Sequence, residues 1–308
     1  MKHPHLLAWA LSTPWAMRPD SMAAYAMVLA AHYGTPGALA AAVSNFQAGS
    51  EPQAAAPSSS RRSGNVAVVP VTGPIVEWPG QIDMCEGGTS TRQISAALTE
   101  LEADDSVVGI VLAFSTPGGS VYGVQEAGDT INRVKGRKPV YGVAQSLAAS
   151  AGYWLLSQCT EAYCSPGGEV GSIGVYSGHE DISKALEMQG VKIELFSAGK
   201  YKTEGSPFEP LGEEARAAMQ ARVNDYYSLF VRAVAKGRGV SVDDVRGGFG
   251  EGRVVGAQQA VKLGMADRVD TYDATVARLA RGGTRPSGQR ADSEDIDLRR
   301  RRMRLLSH

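Results

Sequence analysis

The residues best suited to chemistry in this chain are a serine, two lysines and a glycine turn. Ser150 stands in Gln145-Ser146-Leu147-Ala148-Ala149-Ser150-Ala151-Gly152-Tyr153-Trp154, after an apolar run and ahead of a helical one. A serine at a strand-to-helix turn, with the helix N-terminus beneath it, follows the logic of a nucleophile elbow. The stretch departs from G-x-S-x-G, because Ala148 occupies the first glycine position. Helix N-caps also select serine, so the same residue has a purely structural explanation.

A serine nucleophile needs a base. The histidines are His3, His5, His32, His179 and His308, and only His179 lies loosely near the apolar strands, with no evident aspartate to orient it. A Ser–Lys pair is the recognised alternative. Ser197-Ala198-Gly199-Lys200-Tyr201-Lys202-Thr203-Glu204-Gly205-Ser206-Pro207-Phe208 supplies Lys200 and Lys202, two residues apart. On extended chain they share a face, so spacing does not separate them. Lysine titrates near ~10.4 in water, and burial in an apolar pocket can lower that by a few units, each costing about 1.4 kcal/mol. Ser197 to Lys200 also fits S-x-x-K, but Gly199 argues against the helix that motif requires, and no S-D-N or K-T-G accompanies it. Ser115-Thr116-Pro117-Gly118-Gly119-Ser120 follows the run Val107 to Phe114. Its backbone N–H groups suit a developing oxyanion, although a tight turn also needs glycine.

Other chemistries have little support. Cys85, Cys159 and Cys164 form neither a disulfide framework nor a zinc-type cluster, so no metal or cofactor is expected. The net charge of -1 disfavours a globally basic nucleic-acid binder. The apolar stretches near the N-terminus, the first faintly like a signal peptide, are too short to span a bilayer, so no membrane anchor is expected and export is disfavoured.

The elements that must position these groups can be read from periodicity. Strands are expected at Asn65 to Val71, Val107 to Phe114, Pro139 to Val143 and Val191 to Phe196. Helices are expected at Thr91 to Glu102, Tyr122 to Val134, Ser150 to Gln158 and Leu211 to Ala235, the last with a stripe through Met219, Val223, Tyr226, Phe230 and Val234. Ser241 caps a further short helix. Alternating strands and helices imply an α/β fold with a mostly parallel sheet. Residues 1–34 read as a helical N-terminal segment, 35–64 as an Ala/Ser/Pro linker, 65–281 as the folded domain and 282–308 as a disordered basic tail.

Taken in order, the segments resemble the signal peptide peptidase A family, including its phage prohead-protease branch, whose core is like the caseinolytic protease and crotonase fold. The resemblance rests on Val71-Thr72-Gly73-Pro74-Ile75, Thr116-Pro117-Gly118-Gly119, Ala148 to Tyr153, Gly171-Ser172-Ile173-Gly174-Val175, and Gly199-Lys200-Tyr201-Lys202 with Ser206-Pro207-Phe208. Gly252-Arg253-Val254 with Ala257, Ala260 and Leu263-Gly264 adds a weaker match. It implies a βαβ superhelical core, Ser150 as nucleophile and Lys202 as general base, with Lys200 as the competing candidate. It also implies Gly119 or Gly118 with Ala151 as the oxyanion hole. By analogy with groups that orient a catalytic base, Ser172 is a candidate to orient the lysine, and a turn hydroxyl is the alternative reading. Ala151 stands where the family commonly has Gly, and Ser206 where it often has Glu.

The implied activity is serine endopeptidase, acting on capsid or scaffold proteins during phage head maturation. Partners would be protein substrates, among them scaffold, portal or coat proteins and the chain itself, within a homo-oligomer in the host cytoplasm or prohead. A signal-peptide-degrading peptidase, a crotonase-type acyl-CoA enzyme and a non-catalytic assembly protein are the rivals.

Overall fold

The computed structural model describes residues 14–18, 61–78 and 88–282. The elements in chain order are β1 (Trp15–Met17), β2 (Arg61–Ser63), β3 (Val66–Thr72), β4 (Ile75–Val76), β5 (Thr89–Ser90), α1 (Thr91–Ala103), β6 (Gly109–Thr116), β7 (Gly118–Ser120), α2 (Val124–Val134), β8 (Val140–Ala149), α3 (Ala151–Leu156), β9 (Glu161–Cys164) and β10 (Glu169–Gly171). There follow α4 (Ser183–Met188), α5 (Glu213–Arg238), α6 (Val242–Gly248), β11 (Val254–Gly256), α7 (Ala257–Lys262), β12 (Arg268–Val269) and α8 (Tyr272–Ala280).

The main sheet runs β11-β10-β8-β6-β3-β2, with β9 also on β8 and β12 on β9. Pairings β3–β6, β6–β8, β8–β9, β8–β10 and β9–β12 are parallel; β2–β3 and β10–β11 are antiparallel. The nearly unbroken apolar run of β6 follows from its central place. Ile110, Leu112 and Phe114 join the core on one face, beneath α1, α2, α3 and α5, while Val111 and Ala113 join Tyr141, Tyr163, Val276 and Leu279 on the other.

Strand β8 forks. Its first half, Tyr141 to Ala144, pairs with β9, and its last residues, Leu147 to Ala149, pair with β10. Its opposite edge follows β6, with a register shift before Thr116 meets Ala148. The end of β8 is therefore gripped from both sides where it delivers Ser150. A second small sheet, β1-β7-β4-β5, lies on this end.

Local chemistry explains the helix limits. Ser90 accepts the Gln93 N–H at the start of α1. Helix α5 carries Glu213 and Glu214 in its first turn, Lys236 and Arg238 in its last, and ends at left-handed Gly239. Ser241 and Asp244 form the expected capping box on α6. Of the expected α5 stripe, Phe230 and Val234 are buried and Met219, Val223 and Tyr226 only half-buried. The Trp154 ring stacks on Phe230 at 4.6 Å, and the Gln158 side chain donates to the Ala233 carbonyl, fixing α3 beneath α5.

Several expectations need correcting. Val191 to Phe196 is not a strand but exposed irregular chain, with Phe196 93% exposed. Its alternating pattern finds no neighbouring strand among the described residues to accept its backbone bonds. Helix α3 begins at Ala151, not Ser150, and ends at Leu156. The helical reading of 1–34 fails at Trp15–Met17, which is strand, and the linker reading of 35–64 fails at Arg61–Ser63, which pairs with β3. The rest of those two segments, and the tail from residue 283, lie outside the described residues.

Gly237→Ala tests the docking of α5. In an exposed helix this change is worth about 1 kcal/mol in favour of alanine. Here a Cβ would lie 2.2 Å from the backbone oxygen of Ser157, so the variant is expected to lower the urea midpoint followed by circular dichroism.

Candidate active site

Ser150 connects β8 to α3 with φ 54 and ψ -117, a backbone region that residues with a Cβ rarely adopt. Its N–H donates to the Gly171 carbonyl at 2.7 Å, and its own carbonyl accepts the Trp154 N–H at 2.9 Å. The side chain makes no capping bond to α3, so the N-cap explanation of this serine does not hold. The Oγ is buried and has no hydrogen-bond partner. A buried hydroxyl left unbonded on a strained turn is costly, of the order of 1–3 kcal/mol for the backbone alone.

The glycine turn lies directly against it. A Cβ on Gly118, whose φ is 100, would stand 2.8 Å from the Ser150 Cβ, and one on Gly119 would stand 1.8 Å from the Ile75 carbonyl oxygen. Only glycine permits this approach. The Thr116 hydroxyl accepts the Gly118 N–H at 3.1 Å and donates to the Gly73 carbonyl at 2.6 Å. That leaves the Gly119 amide as the better oxyanion donor of the two. Ala151 is buried as the first residue of α3, where backbone N–H groups have no intrahelical acceptor. Ser172 is buried next to Gly171 with φ 55, and its N–H donates to the Arg253 carbonyl at 2.7 Å. Thr116, Gly171 and Arg253 thus hold the site through backbone and hydroxyl bonds that residue spacing does not display.

The structure does not bring either lysine to Ser150. Lys202 is exposed in a run of turns, its N–H donating to the Gly199 carbonyl at 3.1 Å, and the Ser150 Oγ has no partner within bonding distance. Lys200 pairs with Glu214 at 2.7 Å and with the Tyr201 hydroxyl at 2.8 Å. Glu214, then Tyr201, raises the Lys200 pKa, and Lys200, then Tyr201, lowers that of Glu214. Lys200 is thereby held protonated at neutral pH and is poorly suited to act as a base. Among the described residues thiol chemistry is also disfavoured: burial pushes Cys159 up to about 12 and Cys164 up to about 11. Among the described residues no cluster of His, Cys, Asp or Glu could hold a metal ion.

Comparison with known proteins places the chain in a family. The profile of Peptidase family S49 matches residues 132–284, and that of Clp protease matches residues 82–170. The chain is 33% identical over 228 residues to capsid assembly protease C of Escherichia phage lambda, covering 70% of this chain and 52% of that protein. The chain belongs to peptidase family S49. It is also 34% identical over 228 residues to head-tail preconnector protein GP5 of Enterobacteria phage P21, covering 72% and 45% of the two chains. Protease 4 of Haemophilus influenzae is 28% identical over 212 residues, covering 68% and 34%. The chain spans about half the length of the two phage proteins it matches. The mostly parallel α/β architecture is that of a Clp-protease-like member of the family.

Two measurements test the site. Ser150→Gly and Ser150→Ala both remove the hydroxyl, but only alanine keeps a Cβ on the left-handed turn, so the glycine variant should be more stable by about 1–2 kcal/mol in urea unfolding. At pH 8, below the thiol pKa values near 12 and 11, Cys159 and Cys164 are protonated, so iodoacetamide should leave both unmodified in native protein and alkylate both in urea, read by peptide mass spectrometry.

Proposed function

We propose that this chain is a serine endopeptidase in which Ser150 attacks the peptide carbonyl and Lys202 acts as general base, and that it processes capsid or scaffold proteins during phage head maturation. The observation that carries the reading is the Ser150 turn: a buried, unbonded hydroxyl on a strained backbone, with the Gly118–Gly119 turn packed against it. Such strain persists only where the surrounding structure imposes it. Neutral Lys202 removes the Ser150 proton as Oγ bonds to the carbonyl carbon. The N–H groups of Gly119 and Ala151 stabilise the oxyanion. Lys202 then returns the proton to the leaving amine, and water, activated by the same lysine, releases the acyl group. Ser172, beside Gly171, would orient the lysine. The bound lysine must be neutral, which requires apolar surroundings that its exposed position in the isolated chain lacks.

Completion of the dyad therefore requires the segment carrying Lys202 to pack. Val191, Ile193, Leu195 and Phe196, just before it, are exposed. Burial of these side chains in a homo-oligomer would stabilise the packed form. The phage role is supported by the extent of the match to capsid assembly protease C. No helix among the described residues is long and apolar enough to cross a membrane. A bacterial signal-peptide-degrading role is the second reading, supported by the likeness to protease 4.

Cleavage of casein by wild type, Ser150→Ala, Lys202→Ala and Lys200→Ala tests the assignment. Ser150→Ala and Lys202→Ala are expected to lose at least a thousandfold in kcat/KM, with Lys200→Ala within about tenfold of wild type. Equal activity in all four proteins would refute it. If the oligomer is the active form, specific activity should also rise with protein concentration.

A further inference from the structure

Strand β1 lies where a peptide substrate would lie. It pairs antiparallel with β7, Trp15 opposite Ser120, Ala16 opposite Gly119 and Met17 opposite Gly118. Its other edge meets Tyr176: the Trp15 N–H donates to the Tyr176 carbonyl at 2.8 Å, and the Tyr176 N–H donates to the Trp15 carbonyl at 3.0 Å. The segment is thus held between two walls, one of them the glycine strand beside Ser150. Trp15, Ala16 and Met17 are all buried.

The register brings one carbonyl to the reacting groups. The Arg18 N–H donates to the Pro117 carbonyl at 3.0 Å, and the Val121 N–H donates to the Pro14 carbonyl at 3.2 Å. Bonded pairs alternate along an antiparallel ladder, so Ala16 and Gly119 form the bonded pair between these two. That turns the Ala16 carbonyl toward the Gly119 amide, the preferred oxyanion donor. A point placed as a Cβ on Gly118 is 2.2 Å from the Ala16 oxygen and 2.8 Å from the Ser150 Cβ. The carbonyl of Ala16 therefore sits beside the nucleophile. The contact is made by backbone, the means by which extended peptides add to a sheet edge.

We propose that Pro14–Arg18 is an intramolecular pseudosubstrate that fills the peptide cleft and must be displaced before a protein substrate reaches Ser150. This rests on the reading of Ser150 as nucleophile. A competent cleft that is only fractionally open binds peptide more weakly by that fraction. Trp15 and Met17 are buried bulky side chains, whereas Ala16, opposite Gly119, sets a small side chain into the main core. The cleft accordingly takes an extended peptide with a small residue at the position facing Ser150 and bulky apolar residues on either side.

The test uses the full chain carrying Ser150→Ala, so that binding is read without chemistry. A fluorescein-labelled peptide with the sequence of residues 12–20, STPWAMRPD, is titrated and followed by anisotropy. Adding Trp15→Ala, or separately Met17→Ala, should lower the apparent Kd at least tenfold, the factor expected if the segment is in place nine-tenths of the time or more. Unchanged or weaker binding by variants that still melt cooperatively would overturn the proposal, as would absence of binding to both. Loss of cooperative melting in both variants would also overturn it, by making β1 an obligatory part of the fold. Tighter binding together with a wild type in which Ser150 proves dispensable for casein cleavage would leave the occupied cleft standing and remove the peptidase reading instead.

Discussion

The left-handed turn at Ser150 is the constraint on which the site depends. A residue with a Cβ does not adopt φ 54 and ψ -117 unless its neighbours impose it. Here they do so from three directions. Strand β10 accepts the Ser150 N–H through Gly171, α3 begins at once with the Trp154 N–H bonded to the Ser150 carbonyl, and Gly118 closes against the Ser150 Cβ. The three neighbours belong to different elements: strand β10 of the main sheet, helix α3, and strand β7 of the small sheet. The fork of β8 between β9 and β10 is what lets one strand end meet all three. Buried apolar side chains on both faces of β6 and β8 supply the rigidity that the turn requires.

The segment that carries the lysines has the opposite character. Residues 191–202 are exposed. Lys200 is satisfied by Glu214 and Tyr201, which keeps it charged, whereas Lys202 remains exposed. On the proposed dyad, a rigid Ser150 with Lys202 held apart is an inactive arrangement. On the same proposal, packing of the exposed apolar residues ahead of Lys202 against another surface would complete the pair. On the two proposals, the separation of these groups and the placement of β1 along β7 act in the same direction: both would withhold Ser150 from peptide.

Much of the fold was legible because it rests on local rules. The apolar run of β6, the stripes of α1 and α2, and the Ser241–Asp244 capping box follow from side-chain period and backbone satisfaction. Ser150 and the glycine turn were legible as strand-to-helix turns of small residues. The failures have a common cause. Val191 to Phe196 has strand-like alternation but no strand beside it, and periodicity reports a preference for burial without naming the partner. Trp15–Met17 sits in an apolar stretch that reads as helix, yet its backbone is claimed by two distant segments, Gly118–Ser120 and Tyr176.

The sequence by itself determined the kind of residues available: a serine at a strand end, glycines where backbones must touch, and lysines on a polar loop. Those are properties of residue type and short-range spacing. The tertiary structure alone decided which of these groups meet. It put Gly118 and Gly171 against Ser150, gave the Gly118 amide to Thr116, tied Lys200 to Glu214, left Lys202 apart, and laid Ala16 across the site. The physical reason is that strand pairing joins residues separated by tens to more than a hundred positions, and no local preference encodes which edge a strand will find.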